Sequence, residues 1–456
     1  MKAVLLALLA LATTLSHADK VDDLVRAQMK AQQIPGFSLL ITKNDKVIRR
    51  SVYGKADLEQ SSLVNKNSVF ESGSIGKSFT ATVILQLREQ GKLDLDDPVS
   101  KYLDGTPETW SAITIRRMLS HTSGLKDYAL VPGLGLIEHW TKDDWFAKMK
   151  TLPLDFATGS SFAYSNSNYL LLGLVAEKVT GKPIVELVQE RVFRPLGMTR
   201  SFVADEMTVI PDRAHGYLHY DTQIVNGPAI APGYGDGSFI NSCEDLATYE
   251  KGIREGKILK PESVKLMQSY NMLPTGRRTP YGFGWFVRDV NGVRCVSHGG
   301  NTAACSASLF RIPSANLTVV LMCNINDVGG DGVAQRIAEL YVPELKFKPL
   351  AERPDPDAGL SAQLLRTLLD LAVQKVNPAD LDPEMTARLA TGRGQMGLAT
   401  LARFAKVSKL TFLQSEPYDV DTIYRYRVTV DGKPWMLTFM VNKDRKVFSI
   451  GSREEA

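Results

Sequence analysis

ESGSIGKSFTATVILQL, Glu71–Leu87, places Ser74 and Lys77 three residues apart where an apolar helix begins. Residues three apart share a helix face, so Lys77 can lie beside the Ser74 hydroxyl. A hydroxyl nucleophile needs an adjacent base, and a desolvated lysine can be one. The positive end of the helix favours an anion developing there. A plain N-cap with a solvent-exposed lysine would give the same letters. The pattern recurs at Ser123-Gly124-Leu125-Lys126, in the loop-like stretch SHTSGLKDYALVPGLG, so spacing alone does not single out a site.

Two further stretches carry chemistry. FAYSNSNYLLLGLVAEKV sets Tyr164-Ser165-Asn166 before a second helix, where Ser or Asn could simply cap. Alternatively Tyr164 transfers protons and Asn166 bonds the substrate or Lys77. CVSHGGNTAACSASLF sets His298-Gly299-Gly300 at a strand end. It reads either as a turn with a surface histidine or as a cleft edge. In the second case His298 donates to substrate, Gly299 and Gly300 let substrate lie against the strand, and Asn301 offers a backbone N–H. His121 reads as structural, because turn histidines commonly bond local backbone.

The ordered triple, Ser-x-x-Lys then Tyr-Ser-Asn then His-Gly-Gly, resembles the serine β-lactamase and penicillin-binding-protein family. Within it, the likeness is to the branch of class C β-lactamases, D-stereospecific peptidases and family VIII esterases. PGFSLLITKNDKV, MLSHTSGL, FRPLGMT, SFINSCEDLATYEKG and YGFGWFV extend the resemblance over roughly residues 20–345. It implies a β-lactamase-like α/β (α+β) sandwich, with an antiparallel sheet flanked by helices and a helical subdomain. It also implies an acyl-enzyme on Ser74, with Lys77 and Tyr164 sharing acid–base work and N–H groups of Ser74 and Asn301 forming an oxyanion hole. The substrates implied are esters, amides or D-amino-acid peptides. A β-lactamase, or a non-hydrolytic penicillin-binding or scaffold protein, are the alternatives. Relatives that hydrolyse β-lactams efficiently usually carry lysine where His298 stands. A histidine of ordinary pKa is mostly neutral at pH 7.5, so neutral substrates are expected to outrun anionic β-lactams.

The remaining sequence sets bounds. The 456 residues include 54 Lys and Arg, 50 Asp and Glu, and six histidines. A net charge of +4 without a basic run points away from nucleic acid. No His/Cys spacing suggests a metal, and the chemistry calls for no cofactor, only a small-molecule or peptide substrate. MKAVLLALLALATTLSHADK reads as a secretory signal with cleavage after Ala18, giving a periplasmic or secreted chain without a membrane span. Cys243, Cys295, Cys305 and Cys323 are either bridged or buried thiols.

Strands at both ends of residues 19–345 enclose a mainly helical block over about 93–256, which suggests one antiparallel sheet built from both ends. The proline-rich stretch KFKPLAERPDPDAG, 346–359, reads as a linker. Residues 360–456 read as a small α+β accessory domain of two helices and about four strands, with a hairpin turn at Asp431-Gly432. The sequence assigns it no chemistry and leaves the oligomeric state open.

Overall fold

A computed structural model describes residues 20–135, 137–204, 207–228, 234–237 and 239–455. The secretory-type segment 1–18 lies outside them. The chain opens with a helix over 20–31, then a hairpin of β1 (Gly36–Lys43) and β2 (Lys46–Gly54). Asn44 and Asp45 both sit at positive φ, the geometry that matches hairpin twist. Far along the chain, β3 (Phe286–Val290), β4 (Val293–Asn301), β5 (Ser306–Ile312) and β6 (Leu317–Cys323) complete one antiparallel sheet in the order β3-β4-β5-β6-β1-β2. The β1–β6 pair closes the two ends, with Leu39 opposite Leu321 and Leu40 opposite Val320.

The central strands β1, β5 and β6 are buried on both faces, which is why they read as largely apolar, while the edge strand β2 is mostly exposed. Phe37, Leu39 and Ile41 pack with Val21 and Val25 of the first helix, and with Val333 and Ile337 of a helix at Gly330–Ala338. Leu40, Val320 and Met322 face the opposite way, into the helical block.

At the centre of that block is α1 (Gly76–Glu89), buried almost all round. Phe79 meets Phe193, Phe239 and Tyr249 edge-on at 4.7–5.4 Å. Emptying such a position costs about 3–5 kcal/mol, so the helix carrying Lys77 is fixed by its surroundings. α2 (Asn166–Thr180) packs beside it.

The helical block departs from the sequence reading in also holding strands. Phe70–Glu71, Phe239–Asn241 and Ser201–Val203 form a three-stranded sheet, and Tyr217–Tyr220 pairs with Gln223–Asn226. Runs of two to four residues are too short to show alternation, and tertiary partners decide them.

Residues 346–357 carry no helix or strand. Beyond them come α3 (Ala358–Ala372), α4 (Pro383–Leu389) and α5 (Gly392–Thr400), then a four-stranded antiparallel sheet: Thr411–Tyr418, Asp421–Val430, Lys433–Val441 and Val447–Glu454. Asp431 and Gly432 form the hairpin turn, both at positive φ. Three helices stand where the sequence suggested two, because α4 is only seven residues long. This segment has its own apolar core, including Leu364, Leu368, Tyr426 and Phe439. It is also tied to the rest by Arg277, whose buried guanidinium contacts Asp382, Glu384 and Asp421 at 2.8–3.1 Å. The four cysteines are unpaired buried thiols.

Candidate active site

Ser74 does not cap α1. It sits in a 3-10 turn, Gly73–Ile75, that runs into the helix, and neither terminus carries a side-chain cap bond. The Ser74 hydroxyl is thus free of the helix backbone. Lys77, fully buried one turn on, donates from Nζ to Ser74 Oγ at 3.0 Å and to the Asp236 carbonyl at 2.6 Å. The bland alternative of a solvent lysine is excluded.

The turn lies against β4. Gly73, at φ +50°, brings its Cα beside the Asn301 backbone nitrogen, which would stand 2.9 Å from any Cβ placed there. A Cβ on Gly300 would sit 1.9 Å from the Ser72 carbonyl oxygen. The glycine expected to make room for substrate therefore makes room first for the serine turn. Alternation along β4 aims position 299 the other way, where a Cβ would lie 3.2 Å from Asp331. Asn301 is fixed by its side chain, which donates to Asp327 at 2.6 Å and accepts from Ser306 at 3.0 Å.

Tyr164 packs flat against Phe286, with ring centroids 5.9 Å apart and 10° between planes. Its hydroxyl has no protein partner among the described residues, and Lys77 Nζ lies 5.2 Å from its ring centroid. The His121 ring supports Tyr164 at 4.3 Å, and its Nδ1 accepts from the Ser165 N–H. Asn166 opens α2, yet Ser165 does not cap that helix through its side chain. The Asn166 amide side chain donates to Asp127 at 3.0 Å.

His298 differs from its sequence reading in place, while its expected neutrality is reinforced. It lies inside β4, 1% exposed, rather than at a strand end or on the surface. Nε2 shares a hydrogen bond with the Tyr281 hydroxyl at 2.8 Å, and Nδ1 is 2.7 Å from the Gly299 carbonyl. Both ring nitrogens are therefore engaged within the protein. Burial, and then the Lys77 charge, push its pKa down to about 3. It is neutral far beyond the range expected of an ordinary histidine.

Ser74, Tyr164, Asn166, His298, Gly299, Gly300 and Asn301 all line one open cleft of about 810 Å³, with Lys77 behind Ser74. Sequence reading missed several participants. Asp127 gathers Asn166, and Tyr128 donates to the buried Asp236 carboxyl at 2.6 Å. Tyr281 holds His298, and Arg393 of α5 reaches the cleft from the C-terminal segment. Asp127 and Tyr128 follow the second Ser-x-x-Lys directly, and Tyr281 lies in YGFGWFV, so local signals existed. Arg393, flanked by glycines and far along the chain, had none.

Residues 21–344 match the family model described as Beta-lactamase. The chain belongs to the beta-lactamase family of serine hydrolases. It is 26% identical over 316 residues to penicillin-binding protein 4* of Bacillus subtilis (strain 168), covering 63% of this chain and 67% of that one. Other curated relatives, including protein flp of Staphylococcus aureus, are matched over just 62–63% of their length. Among solved structures, a D-stereospecific amidohydrolase from Streptomyces sp. is 26% identical with a TM-score of 0.59, over 67% of this chain and 93% of that one. The octameric penicillin-binding protein homologue from Pyrococcus abyssi is 20% identical with a TM-score of 0.65, over 96% of this chain and 98% of that one. That likeness in fold extends through the C-terminal segment. No helix among the described residues is long and apolar enough to cross a membrane.

Proposed function

We propose that the protein is an exported hydrolase that cleaves esters, amides or D-amino-acid peptides through an acyl-enzyme on Ser74. The observation that carries this reading is the 3.0 Å bond between the buried Lys77 Nζ and the Ser74 hydroxyl, on the wall of an open cleft.

Ser74 Oγ attacks the substrate carbonyl carbon while its proton passes into the Lys77–Tyr164 pair. The carbonyl oxygen, now an oxyanion, is received by the N–H groups of Ser74 and Asn301, each such donor worth about 3 kcal/mol. Collapse expels the alcohol or amine, which takes the proton from the same pair. Water then attacks the acyl carbon, gives up a proton in its turn and releases the acid, restoring Ser74. The unpartnered Tyr164 hydroxyl suits a group that must hand protons to a changing acceptor. Asn166, held by Asp127, is placed to bond the substrate. Residues 1–18 would direct export, as their basic start, apolar run and small-residue exit suggest. Residues 360–456 would form an accessory domain that shapes the cleft.

The test is a fluorophosphonate followed by a panel of p-nitrophenyl esters, D-amino-acid amides and nitrocefin. The adduct is expected on Ser74, with turnover of an ester or D-amide. Fastest turnover of nitrocefin would make the protein a β-lactamase instead. Stable penicillin acylation without release would make it a binding protein.

A further inference from the structure

The cleft needs a cation to recognise an anionic substrate, and β4 supplies none. His298 is neutral, and Lys77 is spent on Ser74 and a backbone carbonyl. Among the described residues lining the cleft, Arg393 is the only arginine or lysine. It comes from α5, more than 90 residues beyond β4. Gly392 lies against the Leu130 side chain, whose tip a Cβ there would meet at 2.8 Å.

The guanidinium is held in place without being used up. Nε and Nη2 both reach the same oxygen of Asp127, Oδ2, at 2.6 and 2.5 Å. The other Asp127 oxygen takes the Asn166 N–H and amide. The plane lies 4.9 Å over the Tyr164 ring. Nη1 has no acceptor among the described residues, and the side chain is 39% exposed while Asp127 is only 5% exposed. An anion entering the cleft therefore meets N–H donors, with the Asp127 charge behind them. A guanidinium has five N–H donors and can serve more than one carboxylate. Arg277 in this same molecule serves three. The acidic side chains that share the cleft are engaged elsewhere: Asp236 by Tyr128, Asp331 by Arg288, Ser297 and Ser308, and Asp327 by Asn301.

We propose that Arg393 is the specificity-determining cation of the cleft, receiving a carboxylate on the substrate beside Tyr164. The C-terminal segment thus supplies the charge that position 298 lacks. This rests on the acyl-enzyme reading of Ser74, and it replaces the expectation of neutral substrates drawn from His298 alone.

The experiment compares kcat/KM for a matched pair of p-nitrophenyl esters, one ending in a carboxylate (hemisuccinate) and one neutral (butyrate), on the full chain. In Arg393→Gln the anionic-to-neutral ratio should fall about ten-fold, because a charge-assisted hydrogen bond is lost. Arg393→Lys should restore part of it. In the wild type, raising salt from 0.05 to about 0.5 M should lower the ratio several-fold through screening, a readout that does not depend on a variant folding. An equal fall for both esters in Arg393→Gln would make Arg393 a mere prop for Tyr164 and overturn the proposal. A salt-independent ratio in the wild type would do the same. Absence of any Ser74 adduct or ester turnover in the wild type would instead strike the acyl-enzyme reading.

Discussion

Ser74-Ile75-Gly76-Lys77 and Ser123-Gly124-Leu125-Lys126 share one spacing and end in different surroundings. In the first, the serine lines the cleft and the lysine is buried against it at 3.0 Å. In the second, Ser123 is fully buried, donates to Asn168 at 2.5 Å and accepts from the Leu125 N–H. Lys126 turns away to pair with Asp155. The second stretch nonetheless frames the first. Its His121 underlies Tyr164, its Asp127 holds Asn166 and Arg393, and its Tyr128 holds Asp236, whose carbonyl receives Lys77. One stretch presents a hydroxyl to solvent with a base behind it. The other uses the same residue types to lock a wall.

The sharpest way to break this contrast is to remove each serine. Ser74→Ala should abolish the fluorophosphonate adduct and lower kcat/KM by at least about 10³-fold. Ser123→Ala should keep the adduct and most turnover. It should cost about 1–3 kcal/mol of stability in thermal unfolding, because Asn168 loses a buried partner. An adduct on Ser123, located by peptide mass spectrometry, would reverse the assignment.

The lysines come next. Lys77→Met should slow acylation by about 10²–10⁴-fold. Lys126→Met should change turnover within a few-fold and stability by about 1 kcal/mol, as expected for a partly exposed ion pair. Comparable losses in the two variants, read by stopped-flow acylation, would erase the difference between the copies.

A smaller effect tests the contact between the serine turn and β4. Gly300→Ala pushes a methyl into the Ser72 carbonyl, so the turn and strand must part. Displacement by about 1 Å can cost about 10²-fold, and the loss should fall on kcat rather than KM. Steady-state kinetics with a neutral ester would show it. An unchanged kcat would mean the close approach is not needed for the reaction.

The smallest effect concerns pH. His298 is depressed to about 3 in the folded protein, against about 6.5 in the unfolded chain. The unfolded state therefore binds the extra proton between those values. The contribution of His298 to stability is complete above about 6.5 and is lost as pH falls toward 3. His121, also buried and depressed, acts in the same direction. His298→Gln should soften the acid-side drop in thermal stability, by about 2 kcal/mol between pH 6.5 and 4.5. Thermal melts of both proteins across that range give the comparison, and parallel curves would place the acid sensitivity elsewhere.

Much of this molecule could be read along the chain because its signals are local. The Asn44-Asp45 and Asp431-Gly432 turns, the apolar alternation of the strands and the helix after Ser74 each lie within a few residues. The three ordered motifs resemble a family whose fold positions them, and Ser74, Tyr164, Asn166, His298, Gly299 and Gly300 meet at one cleft, with Lys77 directly behind Ser74. What the chain could not show depended on partners far apart in sequence. Whether Ser74 capped a helix, whether His298 carried charge and which glycine faced which neighbour were set by packing against Ser72, Tyr281 and Asp331. The entry of Arg393 into the cleft was the least legible of all. A guanidinium between two glycines has the same letters on a solvent-facing helix, and only the docking of α5 on Leu130 and Asp127 gives it a place beside Tyr164. Sequence fixes residue types and short-range geometry, whereas burial and charge environment arise from contacts that fold alone brings together.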